Sequence, residues 1–240
     1  MASAPGPNDA HAEAAASAKR LMRLARTGAL ATLDAESGAP LTTLVGVASD
    51  DDGAPLMLMS TLSRHTRNLA RDPRASLLMT GPHERGDPLN HPRVTLGGAV
   101  EPSPAPRARL RYLQRNPKAA LYAGFADFAL FRLRIEDVHF NGGFGRAAAL
   151  LPAEVLSPRE GQAALAEAEE RLLAEANALG AAALAGLAGH KGQRPNWRAV
   201  GLDAEGLDLR AGVRAARADF ATPAYDPETW RARLEELLRD

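Results

Sequence analysis

The 240-residue chain has no cysteine, three lysines (Lys19, Lys118 and Lys191) among its 29 basic residues, 5% aromatics and no net charge. Without cysteine, thiolate catalysis, disulfide staples, iron–sulfur clusters and thiolate zinc sites are excluded. The balance of 29 basic against 29 acidic residues removes the electrostatic footprint of a nucleic-acid-binding protein or a polybasic membrane anchor. No apolar run reaches the ~18 residues of a membrane span, and the N-terminal stretch lacks an apolar segment behind a basic start. The expectation is a cytoplasmic protein with neither nucleic acid nor membrane as partner. The excess of arginine and alanine reads as composition bias and carries no functional signal by itself. With 45% hydrophobic and 24% charged residues the composition is that of a globular chain, and the length allows two lobes.

Residues 1–8 are small and Pro-rich and are expected to be mobile. Asp9 is a candidate cap for a helix running to about Arg26, with Ala14, Ala18, Leu21, Met22 and Ala25 on one face and Gly28 ending it. Short strand-like runs follow at 29–34, 41–49 and 56–60, separated by turn signals at Glu36-Ser37-Gly38 and Asp51-Asp52-Gly53. Residues 61–72 switch to helical spacing and stop at Asp72-Pro73. Strands are predicted at 75–80, 93–101 and 128–140, with helices at 106–116 and 117–122 between them and a long polar loop at 81–92. Gly97-Gly98 marks a bulge or a close backbone approach. The acids Asp50, Asp51 and Asp52 read as solvated turn chemistry, and Gly142-Gly143-Phe144-Gly145 as a turn that lets backbones pack.

Charge shifts near residue 150, from 18 basic and 14 acidic residues before it to 11 and 15 after it, which places a domain boundary there. The second part, 151–240, offers a helix with Leu165, Ala168, Leu172, Ala176 and Leu179 in phase. Two or three strands follow over 197–220 with a hairpin at Ala204-Glu205-Gly206, then a last helix over 226–238. Trp197 and Trp230 are predicted core anchors.

The strongest chemical signal is Ser60-Thr-Leu-Ser-Arg-His-Thr-Arg67, hydroxyls and cations where a strand gives way to a helix. Unpaired amides and the positive dipole end of a helix start suit a phosphate monoester, with Ser60, Ser63 or Thr66 hydroxyls and an Arg64 fork around it. The competing interpretation is a Ser63 cap beside a solvated arginine face. No acid–base pair stands out, so no catalytic residue and no metal site are assigned.

The run LMSTLSRHTRNLARDPRASLL (58–78) resembles the pyridoxamine-phosphate-oxidase-like FMN-binding split barrels, and most closely their haem-utilisation, HugZ-type branch. Three further pieces carry the likeness: PLTTLVGVASDDDGAP (40–55), DPLNHPRVT (87–95) and the long strand ending FNGGFGR (140–146). The resemblance implies an α+β chain: an antiparallel split β-barrel with flanking helices over 9–150, then a small C-terminal α/β domain. It also implies a homodimer through the barrels, with FMN between subunits. In that frame Ser60, Ser63, Arg64, His65 and Thr66 surround the cofactor phosphate, and Thr43, Leu44 and Val45 line its ring. His65 stands where the oxidases usually place lysine, and the strand 43–47 offers no cation. The resemblance and the hydroxyl-rich helix start together imply an FMN-binding, flavin-dependent oxidoreductase-like protein with a small-molecule substrate. A haem-binding or haem-degrading protein and a non-catalytic dimeric regulator are the alternatives. For haem, the branch's Met-Asn-x-Asp-His motif falls on Ala176-Asn-Ala-Leu-Gly180, so only the asparagine, Asn177, is present. His83, His91, His139 and His190 are the other candidate ligands.

Overall fold

The computed structural model describes residues 7–81, 86–189 and 196–239. The chain divides into two compact units, Met1–Leu156 and Ser157–Asp240. In the first, α1 (Pro7–Leu24) begins earlier than the expected cap, so residues 7 and 8 belong to the helix and Asp9 lies in its first turn. Residues 1–6 lie outside the described residues. Ala18, Leu21, Met22 and Ala25, one turn apart, are buried together in the main core.

Eight strands follow: β1 (Thr27–Leu33), β2 (Pro40–Gly46), β3 (Ala48–Ser49), β4 (Pro55–Ser60), β5 (Arg74–Thr80), β6 (Arg93–Pro102), β7 (Phe128–Asn141) and β8 (Ala147–Leu150). They form one antiparallel sheet in the order β2-β1-β5-β6-β7-β4-β3, with β8 on β7. The first and last strands of that path are one run of chain interrupted only at Val47, whose N–H donates to the Arg26 carbonyl at 2.9 Å. The sheet therefore returns on itself as a barrel, which leaves few free edges.

Side chains alternate in and out along each strand. Leu30, Met57, Met59, Leu77, Val94 and Leu133 fill the interior, and each such burial contributes roughly 1.5–3 kcal/mol. On β4 the opposite face is also covered: Leu56 and Leu58 pack under α3 (Pro106–Arg115) and the 3-10 turn Pro117–Leu121. That explains why 55–59 reads as an unbroken apolar run. The predicted bulge lies between Gly97 and Gly98, where β6 slips register on β7. A Cβ at Gly98 would collide with the Arg134 carbonyl oxygen.

Two features depart from expectation. Asp50 and Asp52 are buried, not solvated: Arg132 bonds both, and Arg107 holds Asp51 at 2.8 Å. Chain distant in sequence brings those arginines to the turn, which local turn chemistry does not report. Beyond the glycine turn, where Gly143 (φ +111°) packs against the Asn90 carbonyl, the chain adds β8 and α4 (Pro152–Val155) to the barrel.

The second unit holds α5 (Ala163–Ala178), α6 (Gly180–Leu187), the antiparallel sheet β11-β10-β9 (Arg198–Asp203, Gly206–Ala211, Arg214–Asp219 in chain order) and α7 (Pro227–Arg239). Trp197 and Trp230 are fully buried, and the Trp230 indole donates to the Asp203 carbonyl at 3.1 Å. Arg217, buried, is held by Asp203 at 2.6 Å and Asp208 at 2.8 Å, both buried as well. The helical run breaks at Gly180 (φ +86°), leaving Leu179 partly exposed instead of in the core stripe.

Candidate functional site

The turn from β4 into α2 (Arg64–Arg71) brings Ser60, Ser63, Arg64, His65 and Thr66 together, as the spacing predicts. Their hydrogen bonds point largely inward. The Ser60 hydroxyl donates to the Asp127 carboxylate at 2.6 Å. The Ser63 hydroxyl donates to the Ser60 carbonyl at 2.7 Å and lies 2.8 Å from that of Thr66. Ser63 occupies the cap position with extended backbone (φ −72°, ψ 150°), but its side chain makes no capping bond. Arg64 turns to Asp34, its Nε at 2.9 Å and its terminal nitrogen at 2.8 Å from the same carboxylate oxygen. The other oxygen of Asp34 accepts from the Ser37 backbone at 3.1 Å and its hydroxyl at 2.8 Å. Bonds from Ser37 and the adjacent guanidinium hold the Asp34 carboxyl well below the usual carboxylate range.

The residue that stands out is His65. Its Nδ1 lies 3.1 Å from the Thr43 hydroxyl on β2, and its Nε2 is buried with no hydrogen-bond partner among the described residues. Burial pushes its pKa below the ordinary 6.5. A position in the first turn of α2, at the positive end of the helix dipole, further disfavours the imidazolium. The ring is therefore neutral at pH 7. The Thr43 hydroxyl pairs with Nδ1 in either sense, and in the tautomer with hydrogen on Nδ1 the Nε2 lone pair is unused, the arrangement by which histidine binds metals.

Of the three β2 residues expected to line a ring, only Thr43 meets the α2 turn through its side chain. Val45 is buried in the barrel core, and Leu44, on the opposite face, is 76% exposed. Antiparallel pairing sets Leu44, Ala29, Leu78, Thr95 and His139 side by side across the outer barrel face. His139 is thus an exposed strand residue, and His91 follows the 3-10 turn Pro88–Asn90. His83 and His190 lie outside the described residues. Asn177 has a structural part: its amide donates to the Ala199 carbonyl at 3.1 Å and accepts the Ala199 N–H at 3.0 Å, tying α5 to β9. Gly180, where the branch motif places histidine, is in the left-handed region that favours glycine. Asp34 and Asp127, which hold the Arg64 and Ser60 side chains, are not marked as site residues by the sequence pattern. One opens the β1–β2 hairpin turn, 30 positions from Arg64, and the other lies 67 positions from Ser60, and neither carries a local signal for that contact.

A family model described as "CREG, beta-barrel" matches residues 9–156. A solved structure of a protein of unknown function from Agrobacterium tumefaciens str. C58 is 34% identical, with a TM-score of 0.84 over 98% of this chain and 100% of that one. A heme binding protein from Mycobacterium smegmatis is 28% identical, with a TM-score of 0.57 over 99% of this chain and 98% of that one. The chloroplastic heme oxygenase HOZ of Arabidopsis thaliana is 36% identical over 130 residues, which cover 53% of this chain and 39% of that protein. The chain thus spans about two fifths of the length of this curated relative. No helix among the described residues is long and apolar enough to cross a membrane.

Proposed function

The chain belongs to the CREG β-barrel family, within the split-barrel fold of the pyridoxamine-phosphate-oxidase-like superfamily, and on that premise we propose that it is a haem-binding protein of the haem-utilisation branch. The observation that carries this reading is His65: a neutral, half-buried imidazole held at Nδ1 by Thr43, with Nε2 unpaired. The similarity to a mycobacterial heme binding protein and to a plant heme oxygenase supports the same ligand.

His65 would supply a nitrogen ligand through Nε2 once that atom is uncovered, and Thr43 would orient the ring. Arg64, exposed on the same turn, offers a guanidinium to a propionate in competition with Asp34. Bound haem would supply the redox and oxygen chemistry. Two copies would pair through the outer barrel row that includes Leu44 and Leu78, covering the apolar surface exposed there.

A flavin is the second reading, favoured by the Ser63 and Thr66 hydroxyls and by a helix start with no acid in its first turn. It asks more rearrangement, since Ser60, Ser63 and Arg64 are already bonded within the protein. Absorbance titrations of the purified protein with hemin and, separately, with FMN decide between them. Saturable hemin binding with a Soret shift that changes in His65→Ala is the expected result. FMN binding lost in Arg64→Ala, without hemin binding, would overturn it in favour of the flavin. Silence with both ligands would leave a dimeric regulator.

A further inference from the structure

A second site lies elsewhere on the barrel. A cavity of about 500 Å³ opens between α1 and the β7–β8 hairpin, a volume suited to a small organic ligand. It exists because its walls are built from small residues, with Ala10, Ala14 and Ser17 one turn apart along α1 facing Ala147 and Ala148 on β8. Phe140, packed into the barrel core with its ring edge beside Gly142, adds apolar lining. Its polar groups differ in how they are used. His11 is spent on Glu154, at 2.8 Å. Glu13 and Arg146, by contrast, stand exposed on the same cavity, and among the described residues neither charged group meets an ion-pair or hydrogen-bond partner, including one another. The Ser17 hydroxyl is likewise uncommitted.

The geometry points to a binding site for a small zwitterion with an apolar body, of the class of the aromatic and large aliphatic α-amino acids. Arg146 takes the carboxylate as a fork, Glu13 and Ser17 take the ammonium, and the side chain lies against Phe140 and the alanines. An anion alone would leave the Glu13 carboxylate facing it, and a cation alone would leave Arg146 doing the same. Each is therefore disfavoured relative to a ligand bearing both charges. The site is separate from the haem reading, because no residue of β2 or α2 lines the cavity.

Calorimetric titration of the full chain with three probes that share one body tests this: L-phenylalanine, 3-phenylpropanoate and 2-phenylethylamine. L-Phenylalanine should bind saturably and about tenfold or more tighter than either singly charged probe, the value of one charge-assisted hydrogen bond. Glu13→Gln should erase its advantage over 3-phenylpropanoate, and Arg146→Gln its advantage over 2-phenylethylamine. Ala10→Leu and Ala147→Leu, at exposed backbone positions on opposite walls, should each abolish binding while leaving the circular dichroism spectrum and Tm unchanged. The proposal is overturned if none of the probes binds, if 3-phenylpropanoate binds as tightly as L-phenylalanine, or if the two leucine variants, folded, bind like the parent.

Discussion

Replacing Thr43 with valine keeps the shape of the side chain and removes only the hydroxyl 3.1 Å from His65 Nδ1. The bond joins two neutral groups, so its net worth to folding is about 1 kcal/mol and the barrel should stay folded. Its worth to a bound iron is larger, because an outer partner of a ligating histidine sets ring orientation and basicity. Losing such a partner typically costs about 10–100-fold in metal affinity. Thr43→Val should therefore weaken hemin binding by about that factor while His65→Ala changes the Soret band itself, both read by absorbance titration with calorimetry reporting the fold. The same ring makes a pH prediction. Its folded pKa lies below 6.5, so the unfolded chain takes up the proton first, and the His65 contribution to stability is complete above pH 6.5 and falls as the pH drops below it. In His65→Gln that part of the acid-induced fall in Tm should vanish. Parent-like hemin affinity and spectra in both Thr43→Val and His65→Ala would refute the assignment of His65 as the ligand.

Three further outcomes follow from the fold. Arg217→Met strands the buried carboxylates of Asp203 and Asp208, and should cost the second unit about 3–5 kcal/mol, read as a lowered calorimetric transition. Gly98→Ala drives a methyl into the Arg134 carbonyl, and should destabilise the first unit by about 1–3 kcal/mol in denaturant titration; an unchanged midpoint would contradict the bulge geometry. Leu78→Glu places a charge in the middle of the outer barrel row, where Leu78 is 38% exposed. It should shift the sedimentation coefficient from dimer to monomer, whereas a parent that already sediments as a monomer would remove the pairing surface.

Much of this protein was legible along the chain, because local rules decide it. The alternation of β1, the helical phase of Ala18, Leu21, Met22 and Ala25, the bulge at Gly97-Gly98 and the hydroxyl-rich turn at 60–66 each follow from residues within a few positions of one another. Tertiary structure decided what those residues face. Barrel closure through Val47 sets β2 beside α2, so that Thr43 meets His65, while the period-two alternation of the strand sends Val45 into the core and Leu44 out. Asp34 claims Arg64, Asp127 claims Ser60, and Arg132 neutralises Asp50 and Asp52 across 80 or more positions. Side-chain partnerships of this kind depend on where the backbone returns, and the residues themselves carry no mark of the distant partner.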